Sequence, residues 1–96
     1  LKNVELTIMM KVYNKNHKNY PEDCVYIGRG SDYGNPFIIG KDGTRKEVIE
    51  KYINIIESDE NLKKLIKTRL KGKNLLCYCK PKACHGDYLL KISNEE

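Results

Sequence analysis

The sequence predicts a small α/β domain in which about three helices pack on a small mixed sheet. Three observations support this fold class: short apolar segments typical of strands, two amphipathic helical stretches between the second and last of these strands, and an apolar run near residue 76 that ends at a proline. With 96 residues, 40% of them hydrophobic, the chain is expected to form one compact domain over 1–96. Because helices separate the second and last strands, these two should run parallel.

The first strands are predicted in the amino-terminal quarter of the chain. Apolar side chains alternate with mostly polar ones from Val4 to Tyr13, which indicates a strand with one buried face. The polar stretch 14–23 is predicted to be a loop, and a short strand follows at 24–27. A glycine-rich loop at 28–37 then leads through a short extended piece at 38–39 to a turn before the first helix.

The two middle helices have local start and stop signals. Thr44 and Glu47 form a capping-box pattern just ahead of the first amphipathic stretch. A break at 58–59 ends this helix and caps the second one, which should end at Gly72.

The stretch from Lys73 to Asp87 holds three of the four cysteines and one of the two histidines. It is predicted to form a strand over 75–79, a stop at the following proline, and a helix that opens at Cys84 and reaches about residue 93. The last three residues are expected to fray. A strand that leads through a turn into a helix N-terminus is a common place for a site in α/β proteins, so this stretch is the predicted site.

Three interpretations remain open for the cysteine and histidine side chains. Cys77 and Cys79 share a face of the predicted strand, and with Cys84 and His85 they could form a tetrahedral zinc site, although the spacing is unlike paired zinc knuckles. Cys77 and Cys79 also fit small buried thiols in a reducing compartment. Alternatively, Cys84 is a reactive thiol whose pKa is lowered by the helix N-terminus and nearby lysines. Asp87 would then orient His85 or, more commonly, cap the helix.

The glycine-rich loop is the second predicted binding element. Its glycines allow a ligand to approach the backbone, and Arg29 offers a planar fork for phosphate or carboxylate. Tyr33 or Phe37 could stack on a base, and Asn35 is a directional hydrogen-bonding group. The spacing matches neither the dinucleotide-binding fingerprint nor the P-loop. A tight connection with a surface arginine is the alternative interpretation.

The charge balance limits the classes of partner. The net charge is +5, and lysines outnumber arginines among the 18 basic residues. Such a surface attracts phosphates and nucleotides, but proteins that recognise base edges favour arginine, so sequence-specific nucleic-acid binding is not expected. No apolar run approaches the roughly 18 residues of a membrane span, and no signal-peptide pattern is visible. A cytoplasmic protein without a membrane partner is therefore expected.

Three motifs resemble those of a small uncharacterised domain family of bacteria and their phages. They are VYIGRGS with GNPF in the glycine-rich loop, GTR at the first helix, and CYCKP with CHGD around the last strand. The resemblance covers residues 25–92, with Tyr33 and Tyr78 where tryptophan is frequent. It implies that the glycine loop and the cysteine turn form one site. The residues it assigns there are Arg29, Gly30, Ser31, Asn35, Pro36, Phe37, Thr44, Arg45, Cys77, Cys79, Pro81, Cys84, His85 and Asp87.

The function expected from these features is binding of a phosphate-bearing nucleotide-like or ADP-ribose-like small molecule. Arg29 and Arg45 would bind phosphate, assisted by backbone amides of the glycine loop and the helix N-termini. In a phage protein, this activity could sequester a host immune nucleotide signal in the host cytoplasm. The full predicted ligand-binding set is Arg29, Gly30, Ser31, Tyr33, Asn35, Pro36, Phe37, Thr44, Arg45, Lys80, Cys84, His85 and Asp87.

Two other functions are weighed against this one. The first is a nucleotide- or nucleoside-processing enzyme whose catalytic candidates are Cys84, His85 and Asp87. The second is a zinc-stapled module for nucleic acid or protein, with Cys77, Cys79, Cys84 and His85 as candidate ligands. A site on so short a chain would be shallow, so a pocket completed by a second copy in a homo-oligomer is a further expectation.

Overall fold

Six helices and strands make up the fold of the residues that the structure, a computed structural model, describes: 10–17, 19–80 and 82–95. Short strands precede a pair of helices, and a third strand leads into the last helix. In chain order the elements are β1 (Val12–Asn14), β2 (Val25–Tyr26), α1 (Arg45–Glu57), α2 (Glu60–Leu70), β3 (Leu75–Cys77) and α3 (His85–Ser93). The predicted α/β class with three helices is confirmed.

The three strands form one parallel sheet in the order β1-β3-β2. Leu75 of β3 pairs with both Val12 and Val25, so the last strand lies between the first two. The predicted parallel relation of β2 and β3 is confirmed, whereas the expected mixed sheet is wrong for these strands. The reason lies in β3, whose three residues are all buried, as is typical of a central parallel strand covered on both faces.

The strand boundaries differ from the prediction at two residues that matter for the site. Asn14 was predicted to begin a loop but is the last residue of β1, while the predicted strand positions 4–9 lie outside the described residues. β3 ends at Cys77, so Cys79 does not share a strand face with it. The Asn14 side-chain amide donates hydrogen bonds to the carbonyls of Tyr78 (3.3 Å) and Lys80 (2.5 Å). These bonds hold the backbone after Cys77 in a turn.

The remaining predicted extended segments are shorter than expected. The second strand is confirmed but covers only Val25–Tyr26, and the Ile27 amide still donates to the Leu76 carbonyl at 2.9 Å. The piece at 38–39 contributes one isolated bridge between Ile39 and Gly43. These short segments leave most of 28–43 as a loop.

Helix starts and stops follow the predicted local signals. The Glu47 amide donates to Thr44 Oγ1 at 3.2 Å, and the Thr44 amide donates to Glu47 Oε1 at 2.9 Å, which completes the capping box of α1. Asp59 caps α2 by accepting a hydrogen bond from the Leu62 amide. Gly72, with φ of +73°, adopts the left-handed conformation that commonly ends a helix.

The end of α3 is more ordered than the sequence indicates. Asn94 is only 1% exposed, and its side chain donates to the Leu90 carbonyl (2.9 Å) and accepts from the Gly72 amide (3.2 Å). The prediction of fraying is therefore wrong for Asn94, because a long-range hydrogen bond fixes it. Glu96 lies outside the described residues.

The helices and the sheet share one core, and α3 lies closest to the strands. α3 packs on β1 and β3, while α1 and α2 pack against α3 and each other. A Cβ placed on Gly86, in the first turn of α3, would lie 2.7 Å from Ile27 Cδ1 and 3.1 Å from Val12 Cγ1. This close approach brings the start of α3 to the carboxyl end of β3. Within the described residues, no helix is long and apolar enough to cross a bilayer.

Candidate ligand and metal site

A cavity of about 250 Å³ lies at the carboxyl ends of β2 and β3. Its lining includes Tyr26 and Cys77, the last residues of those strands, and Arg45 and His85, the first residues of α1 and α3. Ligands of open α/β sheets commonly bind outside the carboxyl ends of parallel strands, where helix N-termini also point. The position of the cavity is therefore that of a typical α/β binding site.

Two sets of residues, from distant parts of the sequence, line this cavity. The predicted glycine loop and the predicted cysteine turn both reach it, so the structure brings together the two segments expected to form one site. The glycine wall consists of Gly28, Arg29, Asn35, Phe37, Ile39 and Arg45. The cysteine wall consists of Cys77, Tyr78, Cys79, Ala83, Cys84 and His85.

The predicted ligand-binding residues divide into those that line the cavity and those that do not. Six line it: Arg29, Asn35, Phe37, Arg45, Cys84 and His85. The others lie outside its lining: Gly30, Ser31, Tyr33, Pro36, Thr44, Lys80 and Asp87. Pro81, which the resemblance also assigned to the site, lies outside the described residues.

Several polar side chains of the glycine loop form hydrogen bonds within the protein. Ser31 Oγ donates to the Gly28 carbonyl at 2.7 Å. The Asn35 side chain donates from Nδ2 to the Val48 carbonyl at 3.0 Å, and its Oδ1 accepts from the backbone N–H of Phe37 at 2.9 Å. These contacts tie the loop to itself and to α1, so Ser31 and Asn35 shape the glycine wall.

Two arginines from different motifs line the cavity. Arg29 is exposed, and Arg45 is half-buried, with its Nη1 donating to the Ala83 carbonyl of the cysteine wall at 3.0 Å. Across the described residues, neither guanidinium has a carboxylate within 4.0 Å. The two positive charges therefore face the cavity region without an acidic side chain to neutralise them.

The aromatic side chains at the cavity are only partly those predicted. Phe37 lines it, whereas Tyr33 packs against the core, and its carbonyl accepts a 2.7 Å hydrogen bond from Tyr52. Tyr26 and Tyr78 also line it, with ring centroids 6.1 Å apart in an edge-to-face arrangement. The sequence analysis did not include these two tyrosines in the ligand-binding set. Their positions at the carboxyl ends of two predicted strands were the available signal.

Three sulfurs of the cysteine wall form a tight cluster. The Sγ atoms of Cys77 and Cys84 are 3.0 Å apart, and those of Cys77, Cys79 and Cys84 all lie within 4.8 Å of one another. Three of the four predicted metal ligands are thus close enough to hold one ion. His85 does not belong to this cluster: its Nε2 donates to the Ile27 carbonyl at 2.7 Å, and its Nδ1 lies 3.6 Å from Cys84 Sγ.

The pKa values of the two buried thiols, Cys77 and Cys84, are shifted in opposite directions. A hydrogen bond from Cys84 lowers the pKa of Cys77. The same bond, together with burial, raises the pKa of Cys84, so the expected lowering at Cys84 is wrong. The amide of Gly86 donates to Cys84 Sγ, but its effect on the Cys84 pKa is smaller than that of the shared hydrogen bond. Burial lowers the pKa of His85 and favours its neutral imidazole.

Asp87 caps α3, as the commoner of its two predicted roles requires. Its carboxylate accepts a hydrogen bond from the Cys84 amide at 3.2 Å and forms an ion pair with Lys80. His85 is oriented by the Ile27 carbonyl instead. Of the catalytic candidates, Cys84 and His85 line the cavity and Asp87 does not.

The chain is similar to a protein family of unknown function and to an uncharacterized phage protein. A family model described as a domain of unknown function, DUF4326, matches residues 10–95. A relative in Enterobacteria phage T4, an uncharacterized 12.4 kDa protein from the nrdA-td intergenic region, is 38% identical over 91 residues. This match covers 90% of the chain and 79% of the phage protein. No solved structure matches the chain.

Proposed function

The chain belongs to the DUF4326 family, and we propose that its cavity binds a small phosphate-bearing, nucleotide-like molecule. The observation that carries this proposal is the convergence of Arg29 and Arg45 on one cavity that also has aromatic rings in its lining. Arginine forks bind phosphate oxygens in pairs, and aromatic rings stack on bases regardless of sequence.

The chemistry of each wall suggests how such a ligand would bind. Phosphate would lie between the guanidinium groups of Arg29 and Arg45, where the N-terminus of α1 adds a favourable dipole. The base would contact the apolar lining and stack on Phe37 or Tyr78. Tyr78 is 49% exposed, so a ligand that covers it gains apolar burial at the cavity mouth.

The size of the cavity limits the ligand. At about 250 Å³, it is slightly smaller than the ~300–1,000 Å³ of most small-molecule pockets. A ligand of roughly mononucleotide size would fit inside. An ADP-ribose-like molecule would place one half in the cavity and extend the other across the exposed surface near Arg29.

Binding without turnover is the form of this function that the site favours. Cys84 is buried with its Sγ in contact with Cys77 Sγ, while the Nε2 proton of His85 is already donated to the Ile27 carbonyl. These candidates for nucleophile and general acid or base are thus engaged in internal contacts. In a phage member of the family, binding without turnover would serve to sequester a host nucleotide signal.

The test is calorimetric titration with AMP, ADP-ribose and cyclic dinucleotides, followed by mass spectrometry of the recovered ligand. Arg29→Ala should weaken binding of whichever compound the wild type binds by roughly 10- to 150-fold, because a hydrogen bond to a charged group contributes about 1.5–3 kcal/mol. Arg69→Ala is the matched control, since it removes the same charge from α2 outside the cavity.

Three results would contradict the proposal. Equal affinity of Arg29→Ala and Arg69→Ala would exclude phosphate binding by Arg29. A chemically altered ligand would indicate turnover and direct attention to Cys84 and His85. If none of these compounds binds, the proposal that the cavity binds a nucleotide-like molecule is contradicted.

A further inference from the structure

We propose that Cys77, Cys79 and Cys84 bind one Zn²⁺ through three thiolates and leave its fourth coordination position open to the cavity. This inference is independent of the nucleotide proposal, because it rests on the sulfur cluster and not on the arginines. It assigns the cysteine wall a chemistry that buried thiols alone would not have.

The distances between the sulfurs suit a tetrahedral ion. With Zn–S bonds of about 2.3 Å, tetrahedral geometry separates the sulfurs by about 3.8 Å. The observed separation of Cys77 and Cys84 is 3.0 Å, and none of the three pairs exceeds 4.8 Å. Movements of roughly 1 Å therefore bring the sulfurs to the separation that the ion requires.

Backbone amides point at two of the sulfurs. The Cys79 amide donates to Cys77 Sγ at 3.5 Å, and the Gly86 amide donates to Cys84 Sγ at 3.4 Å. Donors of this kind stabilise thiolate charge and orient the ligands of metal sites. Three thiolates and Zn²⁺ carry a net charge of −1 by formal counting, which Arg45 at the same cavity would offset.

The third sulfur is held in place by β1. Asn14 donates to the carbonyls on both sides of Cys79, those of Tyr78 and Lys80, and the Lys15 amide donates to the Cys77 carbonyl at 2.7 Å. The turn that carries Cys79 is thus fixed from a neighbouring strand. A preorganised third ligand lowers the entropy that metal binding would otherwise cost.

Among the described residues, no further histidine, cysteine or carboxylate belongs to this cluster of ligand atoms. His85 Nδ1 lies 3.6 Å from Cys84 Sγ, but it does not belong to the group of atoms that all lie within 4.8 Å of one another. All three cysteines line the cavity, so water or a donor atom of a cavity ligand can complete the tetrahedron. Zinc sites with three protein ligands and one exchangeable position are the arrangement that permits Lewis-acid chemistry or ligand exchange.

The alternative use of these sulfurs is a disulfide between Cys77 and Cys84. Their separation of 3.0 Å would have to shorten to the bond length of about 2.05 Å, and Cys79 would have no part in it. Because Cys79 Sγ also lies within 4.8 Å of both sulfurs, the arrangement favours a shared Zn²⁺ over a disulfide.

The experiment is Co²⁺ titration of the reduced 96-residue chain, monitored by thiolate-to-metal charge-transfer absorption, with Zn²⁺ competition to measure affinity. The variants are Cys79→Ser and the control Cys24→Ser, whose cysteine lies outside the cluster. Cys79 is only half-buried, so its serine variant should fold, which circular dichroism would verify. We expect one equivalent of metal in the wild type and in Cys24→Ser.

The size of the loss at Cys79 decides the assignment. Removing a ligand should weaken binding by about 100-fold or more, since changes in outer-shell partners alone cost ~10–100-fold. Equal affinity of Cys79→Ser and the wild type would overturn the three-thiolate site. So would a wild-type chain that binds no metal.

The open position has its own test. Imidazole added to the Co²⁺-loaded wild type should shift the d–d absorption bands, because it would enter the fourth position. Unchanged bands at saturating imidazole would show a closed site and overturn this part of the proposal.

Discussion

The glycine wall and the cysteine wall enclose the same cavity but are stabilised in different ways. The cysteine wall is part of the core: Cys77, Cys84 and His85 are buried, and the adjoining Gly86 touches the sheet. The glycine wall is a surface loop held by side-chain bonds to nearby backbone, as at Asn35. Changes at the first wall should therefore affect the whole fold, whereas changes at the second should act on the loop and on α1.

The largest expected effect is at Gly86, where α3 meets the sheet. Gly86→Ala should lower the free energy of unfolding by about 1–3 kcal/mol, because the new methyl would overlap Ile27 Cδ1. Urea denaturation measures the change.

A second substitution tests whether that contact is the cause. Ile27→Val removes Cδ1, so the double variant should be less destabilised than the sum of the two single ones, with a coupling of at least about 0.5 kcal/mol. Additive losses would show that the contact between α3 and the sheet does not explain the sensitivity of the cysteine wall.

The second effect is at Asn14, which connects β1 to the cysteine wall. Asn14→Ala should destabilise the fold by about 1–2 kcal/mol, because it removes two hydrogen bonds, of which the one to Tyr78 is long and exposed. It should also weaken Co²⁺ binding, although it removes no sulfur. Asn16→Ala is the control, since Asn16 is exposed and bonds Asn14 through its backbone. Unchanged metal affinity in Asn14→Ala would show that the turn does not depend on β1.

The third effect is at Thr44, next to the glycine wall. Thr44→Ala should cost about 1 kcal/mol of unfolding free energy, the usual effect of losing a helix N-cap. Thr68→Ala, in the interior of α2, should be nearly neutral, because alanine favours helix and the Thr68 hydroxyl only bonds back to the Lys64 carbonyl. Thermal denaturation of both variants gives the comparison, and equal midpoints would argue against capping as the role of Thr44.

The smallest effect is at the exposed contact between the glycine loop and α2. Arg69 Nη1 lies 3.8 Å from Asp32 Oδ2, and the Asp32 side chain is 86% exposed. Arg69→Ala should change the unfolding free energy by less than about 0.5 kcal/mol, as is usual for surface ion pairs. A larger loss in urea denaturation would mean that the loop is anchored to α2 through this pair.

Local signals in the sequence predicted more of the fold than of the site. The capping box of Thr44 and Glu47 and the cap at Asp59 depend on residues three positions apart, so the pattern contains the whole interaction. The bonds of Asn14 to the cysteine turn and of Asn94 to Gly72 join distant segments, and nothing near either asparagine indicates its partner. For the same reason the sequence predicted a strand through Cys79.

The candidate site shows the same limit at the level of side chains. The motifs pointed to two segments that line one cavity, but residue type alone does not distinguish a polar group that faces a cavity from one that bonds the backbone. Ser31 and Asn35 belong to the second kind, and Arg29 is without a carboxylate partner among the described residues. Completion of the cavity by a second copy of the chain stays a prediction, which sedimentation with and without ligand would test.

The position of β3 between β1 and β2 has a consequence for how the chain folds during synthesis. Both outer strands are made first, but Leu75 provides the register for each, so no hydrogen bond of this sheet can form until that residue has left the ribosome. The contacts between α1 and α2 are local in sequence, so this hairpin can form before the two helices pack on α3. Sheet closure, the cavity and the sulfur cluster should therefore arise in one late step, and the high sequence separation of the strand pairs should make that step slow for a domain of this size.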